Sequence, residues 1–192
     1  LAKEYLDRAK VATLFDYSQT ELDQAKEEFG DRIRTVQGDI YHTPFKDDEF
    51  SALLMVRATH HFADLPAVIK ELHRILEPGG VAVIEVANKR TLPKMFRYWF
   101  KKSKVNPFDK KPSNLKNIDK DGFYNYHPAY VEDLFRKSGF EIDNILSVSN
   151  FRSQTMKKIF KTKALVALEK KLQKPLASLR FAPSIYYRLI KK

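Results

Sequence analysis

The sequence predicts an α/β fold whose sheet is doubly wound, mostly parallel and covered by helices on both faces. Runs rich in β-branched and aromatic residues alternate with helical segments of roughly 10 to 15 residues, the pattern of βαβ units. Two of the runs, 51–58 and 81–87, are almost continuously apolar, as expected of strands buried on both faces of a parallel sheet. We therefore expect strands joined by right-handed helical crossovers.

The first half of the chain gives these elements in order. Residues 1–10 have the period of an amphipathic helix with no start signal, and residues 11–18 predict a strand. Ser18 and Glu21 have the spacing of a capping box, which opens a helix that ends at Phe29. A second strand over 33–39, the apolar strand 51–58, a helix over 65–76, a Pro-Gly-Gly turn and the apolar strand 81–87 follow.

Two insertions interrupt the pattern in the second half. Residues 89–126 are basic, aromatic and contain proline, and we interpret them as a lid-like insertion over one end of the sheet. Residues 156–181 predict a helical insertion broken at Pro175, with an apolar stripe along one face. Between them lie a helix from Pro128 to Gly139 and a strand over 140–151, and a terminal strand over 183–190 is expected to pair antiparallel.

Composition limits the class of protein. With 192 residues, 43% of them hydrophobic, the chain has material for one core, so we expect a single domain over 1–192. There is no cysteine, no apolar run long enough to span a bilayer and no secretory signal at the start, which favours a cytoplasmic protein. The net charge of +11 is concentrated at 89–120 and 157–174.

Polar residues follow three of the predicted strands where each strand ends. In a doubly wound sheet, ligands bind at these carboxyl ends. The Asp16 carboxylate can accept hydrogen bonds from the two hydroxyls of a ribose. Asp39 can accept one from an exocyclic amine, and Ile40 offers an apolar face to a purine. The third end, residues 56–62, is dense in polar groups directly after a buried strand.

These stretches resemble the class I S-adenosylmethionine-dependent methyltransferases over nearly the whole chain. The similar segments are 14–26 (LFDYSQTELDQAK), 38–62 (GDIYHTPFKDDEFSALLMVRATHHF), 71–89 (ELHRILEPGGVAVIEVANK) and 183–192 (PSIYYRLIKK). The resemblance implies a Rossmann-like fold with an antiparallel terminal strand, and S-adenosyl-L-methionine as cofactor. It implies that Asp16, Tyr17 and Ser18 lie at the ribose of the cofactor. Asp39 and Ile40 would lie at the adenine, and Val56, Arg57 and Ala58 at the methionine part.

The chain departs from this family at its start. The family's first motif, an acidic strand end followed by a Gly-x-Gly loop, belongs immediately upstream of Leu1, together with the strand that carries it. We therefore expect a sheet with its first strand missing and a chain truncated before that motif. Gly38 and the Gly79-Gly80 pair are better explained as turn geometry than as a substitute loop.

Candidates for the acceptor side follow from the chemistry of the residues after the third strand and in the lid-like insertion. His60 and His61 are the candidates for proton transfer. No metal is expected there, because adjacent histidines project in different directions and lack a third ligand at useful spacing. Tyr98, Trp99 and Tyr126 either line an acceptor pocket under the lid or hold the insertion onto the sheet.

Three functions stay open on the sequence. The first is methyl transfer to an oxygen, nitrogen or carbon of a small molecule, with peripheral membrane contact if that acceptor is lipophilic. The second is methylation of RNA, because basic residues interleaved with aromatic ones suit RNA stacking. The third is a non-catalytic domain of the same fold. The basic amphipathic helix over 156–172 either lies on a membrane or packs against the sheet.

Overall fold

The computed structural model of the chain divides into two compact units, Leu1–Lys46 and Asp47–Lys192. It describes Leu6, Ala9, residues 11–114, residues 123–151, Lys158 and residues 160–192.

Three sequence predictions fall wholly or partly beyond these residues. The helix expected over 1–10 lies outside the described residues, apart from Leu6 and Ala9. So do residues 115–122 of the lid-like insertion and most of 152–159, where the helical insertion was expected to begin.

The first unit is a parallel strand pair with one crossover helix. Strand β1 (Ala12–Asp16) pairs with β2 (Ile33–Gln37), and helix α1 (Gln19–Phe29) connects them. The capping residue predicted at Ser18 is confirmed, since its hydroxyl accepts the backbone N–H of Glu21 at 3.4 Å. Residues from all three elements and the segment before them form its apolar core: Leu6, Ala12, Leu14, Ala25, Phe29 and Ile33.

The second unit is built on a mixed four-stranded sheet. Its strands are β3 (Phe50–Met55), β4 (Leu76–Ala87), β7 (Phe140–Val148) and β8 (Ser184–Lys191), in the spatial order β3-β4-β8-β7. Strand β4 runs parallel to β3, and β8 runs antiparallel to both of its neighbours. This confirms the predicted antiparallel terminal strand.

Among its described residues, four α-helices and a short hairpin complete this unit. They are α2 (Leu65–Ile75), α3 (Leu92–Trp99), α4 (Pro128–Lys137), α5 (Thr162–Ala177) and the hairpin of β5 (Ser113–Asn114) with β6 (Tyr124–Asn125). The predicted helices at 65–76 and from Pro128 are confirmed. Helix α3 and the hairpin lie within the lid-like insertion, for which the sequence predicted no secondary structure.

The core of the second unit joins helices to the sheet. Five residues of α2 are buried at helical spacing, and Phe135 of α4 packs edge-on against Tyr187 of β8, with ring centroids 5.3 Å apart. Both of these rings are fully buried. Burying an aromatic ring of this size removes on the order of 150–250 Å² from water, so this pair is a main anchor of α4 on the sheet.

The prediction that the apolar strands are buried on both faces is wrong. No residue of β3 is buried, and Leu54 is 47% exposed. Among the described residues β3 pairs with β4 alone, so it is an edge strand of its sheet. In β4, Ala82, Ile84 and Val86 are buried while the residues between them are half-exposed, which is the alternation of a sheet with one covered face.

The prediction that Pro175 breaks the last helix is also wrong. Helix α5 includes Pro175 and ends two residues later, so the proline removes one backbone hydrogen bond only in the final turn. The Ser178 hydroxyl donates to the Pro175 carbonyl at 2.9 Å, which satisfies one of the carbonyls at the helix end. The expected apolar stripe is only partly buried, because Leu165 is covered but Leu168 is 40% exposed.

The His127 imidazole makes stability depend on pH. Its Nδ1 accepts the backbone N–H of Ala129 at 3.2 Å and caps α4, a role that needs the neutral ring. Burial lowers the pKa of His127, and the charges of Arg90, Lys89 and Lys110 lower it further. The imidazole of His127 therefore binds a proton more readily in the unfolded chain than in the folded one. Its contribution to the free energy of unfolding is complete above the ordinary histidine pKa of 6.5 and decreases as the pH falls below that value.

We expect His127→Asn to remove part of this acid sensitivity, since an Asn side chain also caps helices but does not titrate. Urea unfolding at pH 7.5 and at pH about 5 measures it: the loss of stability between the two should be smaller in the variant. An equal loss in both proteins would contradict the cap assignment.

Candidate functional site

In the first unit, β1 and β2 bring two carboxylates to one edge. Asp16 pairs in register with Gln37, and Asp39 follows two residues later. The Asp16 Oδ1 accepts the backbone N–H of Ser18 at 2.8 Å, which orients the carboxylate, and within the described chain its Oδ2 makes no hydrogen bond. Both carboxylates are exposed at the carboxyl ends of parallel strands.

The turn after β2 depends on Gly38. A Cβ at this position would lie 2.8 Å from the Phe15 ring, closer than real contacts allow. The backbone N–H of Gly38 donates to the Asp16 carbonyl at 3.1 Å, and the Asp39 carboxylate accepts the Tyr41 N–H at 3.0 Å. Glycine therefore lets the chain close tightly against β1 and fixes Asp39 next to it.

The other predicted cofactor residues of this unit differ in exposure. Tyr17 is 81% exposed, and its carbonyl accepts a hydrogen bond from the Gln37 side chain at 3.1 Å. The Ser18 hydroxyl is used as the cap of α1, and Ile40 is half-buried.

In the second unit, the end of β3 is tied to Glu85 of β4. The backbone N–H of Arg57 donates to the Glu85 carboxylate at 2.9 Å, and the Thr59 hydroxyl donates to the Glu85 carbonyl at 2.9 Å. Arg57 has a φ of 58°, a left-handed conformation uncommon outside glycine. Arg57 therefore contacts Glu85 through its backbone N–H and not through its guanidinium. Val56 and Ala58, on either side, are half-buried.

A cavity of about 770 Å³ opens at the carboxyl ends of β3 and β4. Four of the residues around it carry charge: Arg57, Glu85, Lys94 and Arg97. Apolar and polar residues complete the lining, namely Thr59, His60, Ala87, Asn88, Thr91, Pro93, Phe123, Asn125, Pro183 and Ser184. Its volume is in the range of small-molecule sites, and the lining combines apolar surface with a few polar groups, as such sites do.

The wall of this cavity is held by Asn88, which is 1% exposed. Its side-chain amide donates to the carbonyls of Arg180 and Ala182, both at 2.8 Å, and to that of Arg90 at 3.1 Å. Its side-chain oxygen accepts the Arg90 N–H at 2.7 Å. One buried amide therefore joins the end of β4, the start of the lid-like insertion and the loop that precedes β8.

Lys94 brings an amine to the same wall. Its Nζ donates to the Asn88 carbonyl at 3.0 Å and to the Asn125 side-chain oxygen at 3.2 Å, and no carboxylate of the described residues pairs with it. Burial lowers the pKa of Lys94 to about 8, with a further contribution from the charge of Lys89. Near neutral pH, Lys94 is therefore an amine that can gain or lose a proton.

The two predicted catalytic histidines are not equivalent. His60 is half-buried, lines the cavity and stacks on Phe123 with ring centroids 4.3 Å apart. His61 is exposed and does not line it. The described residues contain no group of three His, Cys, Asp or Glu side chains able to hold a metal ion.

The three predicted acceptor residues lie outside the cavity lining. Tyr126 is 1% exposed and its hydroxyl donates to the Phe62 carbonyl at 2.5 Å, which favours the packing role that the sequence left open. Trp99 is 64% exposed on α3, and Tyr98 is half-buried on the same helix.

Sequence reasoning missed Glu85, Asn88, Lys94 and Asn125. Glu85 left a signal, since it is the single charged residue in the apolar run 81–87. Asn88, Asn125 and Lys94 gave no such signal, because the spacing of polar residues along the sequence does not show which of them become buried or which groups they bond to.

Residues 1–84 match the family model described as "Methyltransferase domain". Over these residues, which are 84 of the 192, the chain is similar to methyltransferase domains. The match contains both strand ends of the first unit and the segment after β3, which the sequence had assigned to this family.

Curated relatives of the methyltransferase domain are enzymes with named acceptors. A sterol 24-C-methyltransferase of Gibberella zeae is 41% identical over 56 residues, which cover 29% of this chain and 15% of that protein. A demethylmenaquinone methyltransferase of Staphylococcus aureus is 30% identical over 94 residues, 46% of this chain and 39% of that protein. The chain thus spans well under half of the length of either relative.

Solved structures share the fold. A possible histamine N-methyltransferase from Thermotoga maritima superposes with a TM-score of 0.63 at 17% identity, over 98% of this chain and 76% of that one. The 1,6-didemethyltoxoflavin-N1-methyltransferase of Burkholderia thailandensis, solved with S-adenosylhomocysteine, gives 0.63 at 14% identity over 100% and 65%. These similarities confirm the Rossmann-like α/β class.

The pKa of Lys94 can be measured directly. We expect its side-chain signal in a lysine-labelled NMR titration to move with a midpoint near pH 8, while exposed lysines titrate near the ordinary value of 10.5. Lys89→Met should raise the midpoint, because it removes a nearby positive charge. A midpoint above pH 10 in the unsubstituted chain would contradict the buried environment of Lys94.

Asn88→Ala should destabilise the protein by roughly 2–4 kcal/mol, because one buried carbonyl, two part-buried carbonyls and one part-buried N–H lose their partner. Chemical unfolding measures the change. Asn114→Ala, at an exposed position of β5, is the matched control and should stay within about 0.5 kcal/mol. Equal effects of the two substitutions would contradict the role of Asn88.

Proposed function

We propose that the protein transfers the methyl group of S-adenosylmethionine to a small, lipophilic organic acceptor. The observation that carries this proposal is the pair of exposed carboxylates at the ends of β1 and β2, Asp16 and Asp39, inside the segment that matches the methyltransferase family. Because the chain covers only part of its curated relatives, the activity is proposed for the whole protein.

The residues of the first unit fit the adenosyl part of this cofactor. Asp16 has one oxygen fixed by the Ser18 N–H and one available, so it can accept hydrogen bonds from ribose hydroxyls in a preset orientation. Tyr17 and Ile40 offer apolar surface on either side of the strand ends, and Asp39 can accept a hydrogen bond from the adenine amine. The donor and acceptor types therefore agree with those of the cofactor.

The cavity of the second unit suits the acceptor. When bound, S-adenosylmethionine supplies a methyl group on a positively charged sulfur, which is reactive without further activation. The residues of this chain then have to hold the acceptor in line, exclude water and take a proton if the nucleophile carries one. We assign Val56, Arg57 and Ala58 to the methionine part of the cofactor; of the three, Arg57 lines the cavity.

Lys94 is the residue that we assign to the proton. A neutral amine can donate its two hydrogens to the Asn88 carbonyl and the Asn125 side chain while its lone pair stays available. A pKa of about 8 keeps part of the population in this neutral form near physiological pH. His60, stacked on Phe123 in the same lining, is the alternative acceptor of the proton.

The lipophilic character of the acceptor is supported by the relatives. The two curated relatives are named for a sterol and for demethylmenaquinone, both largely apolar molecules. The cavity offers Ala87, Pro93, Phe123 and Pro183 as apolar lining.

Calorimetric titration of S-adenosylhomocysteine into the chain tests the cofactor assignment. Asp16→Ala should weaken binding roughly tenfold or more, because a charge-assisted hydrogen bond is worth about 1.5–3 kcal/mol. Glu27→Ala is the matched control: it removes an exposed carboxylate from α1 in the same unit and should leave the affinity unchanged.

Two outcomes would count against the proposal. Equal affinity of the Asp16→Ala and unsubstituted chains would remove Asp16 from the site. No heat of binding by a chain that circular dichroism shows to be folded would mean that these strand ends do not hold the cofactor by themselves.

A further inference from the structure

Helix α3 carries an exposed apolar face. Leu92, Phe96, Trp99 and Phe100 recur at the spacing of one side of a helix and are 49%, 54%, 64% and 68% exposed. Large apolar side chains scattered singly on a surface are ordinary, but four on one face of an eight-residue helix and its first following residue form a patch. Such a patch marks an interaction surface.

Ring contacts make this face continuous with Phe108. The Trp99 ring stacks on Phe108 with centroids 6.5 Å apart, and Phe96 meets Trp99 edge-on at 6.1 Å. Phe108 is itself 40% exposed. We refer to Leu92, Phe96, Trp99, Phe100 and Phe108 as the aromatic surface.

Exposed basic residues lie near the aromatic surface along the chain. Of the nine Lys or Arg residues in 89–111, six are exposed, and the single acidic residue there is Asp109. Arg97 lies within α3, and Lys101 and Lys102 follow Phe100, the first residue after the helix; all three are exposed. A partner that covers this surface must therefore present negative charge around an apolar interior.

We infer that the aromatic surface docks on an anionic lipid bilayer, with the rings at the level of the headgroups. Helices that lie in a membrane interface combine Trp, Phe and Leu on one face with Lys and Arg beside them, which is the arrangement of α3. Each basic residue near an anionic leaflet adds to the attraction. Bases of RNA stack on aromatic rings, but they give no reason for Leu92 to share the exposed face.

The same helix borders the cavity on its other side. Pro93, Lys94 and Arg97 of α3 line the cavity, whereas Leu92, Phe96 and Trp99 do not. A bilayer bound to the aromatic surface would therefore contact the same helix that lines the cavity, and a lipophilic acceptor could pass from lipid to protein along it. This part of the inference rests on the proposed function; the docking itself does not.

Helix α5 gives a comparison within the chain. It is also basic and exposes Val166 and Leu168, but it carries no aromatic residue. None of the described helices is long and apolar enough to cross a bilayer, so contact through either helix would be with the membrane surface. Variants of α5 therefore serve as matched controls for variants of α3.

Trp99 is the single tryptophan of the chain, so its fluorescence reports on this surface alone. We expect vesicles of phosphatidylcholine with phosphatidylglycerol to shift Trp99 emission to the blue and to protect it from acrylamide. Vesicles of phosphatidylcholine alone should have a much smaller effect. Since the Debye length falls from about 10 Å at 0.1 M to 3 Å at 1 M salt, high salt should reverse most of the shift.

Two pairs of variants locate the contact, with vesicle sedimentation as the second readout. Lys101→Glu with Lys102→Glu, and separately Phe96→Ser with Phe100→Ser, should reduce the bound fraction at least severalfold. Lys170→Glu with Lys171→Glu, and Val166→Ser with Leu168→Ser, make the same changes in α5 and should leave it unchanged. All these positions are exposed, so the variants should fold, and thermal melting checks this.

The remaining outcomes overturn the inference. The inference is wrong if the protein does not sediment with anionic vesicles, or if it sediments without a change in Trp99 emission. It is also wrong if the bound fraction falls in the α5 variants only. A blue shift that follows protein concentration without lipid would assign the surface to a second copy, and one caused by an oligonucleotide but not by vesicles would assign it to RNA. Binding of S-adenosylhomocysteine by the α3 variants, measured separately, shows whether the proposed function stands or fails independently.

Discussion

The second unit depends on one buried amide. Asn88 follows the last residue of β4, and its side chain satisfies backbone groups that come from residues 90, 180 and 182, two of them more than 90 positions away. Its own backbone N–H donates to the Pro183 carbonyl at 2.9 Å. A buried carbonyl without a donor costs about 1–3 kcal/mol. The hydrogen bonds of Asn88 therefore stabilise the backbone at residues 90, 180 and 182 in the positions that it has next to the cavity wall.

The electrostatics of the cavity follow from the same arrangement. The carbonyl of Asn88 and the side chain of Asn125 give Lys94 two acceptors but no negative charge, so its ammonium form is stabilised less than in water and its pKa falls. Glu85 is instead satisfied by the Arg57 N–H and, at 3.4 Å, by the Tyr186 hydroxyl. The wall thus holds an amine whose pKa is lowered by burial and a carboxylate that already has hydrogen-bond partners.

The sequence predicted what depends on local chemistry and on strand order. The Ser18 cap, the helix over 65–76 and the antiparallel pairing of β8 follow from spacing, periodicity and the family resemblance, and the structure has all three. Burial was less predictable. The run 51–58 is apolar enough for a central strand, yet β3 lies at the edge of its sheet and is half-exposed. The apolar pattern of a strand does not determine how many other strands pair with it.

Residues whose role depends on distant partners were not predictable. Asn88 and Lys94 look like ordinary polar residues near the start of a basic insertion, and their partners are distant in sequence: the loop before β8 for Asn88 and Asn125 for Lys94. Trp99 was expected either to line a pocket or to hold the insertion in place, and it is exposed instead, because α3 turns its polar positions toward the cavity and its aromatic positions outward. In this insertion the hydrophobic pattern is that of a surface helix with an outward-facing apolar side.

Backbone amide NMR during a titration with S-adenosylhomocysteine tests most directly the claim that the strand ends hold the cofactor. The account predicts that the largest shifts in the first unit fall on Asp16 to Ser18 and on Gly38 to Tyr41, with a separate group at Val56 to Thr59 in the second. Shifts confined to other residues, or binding that leaves the Gly38 and Asp39 amides unchanged, would contradict it.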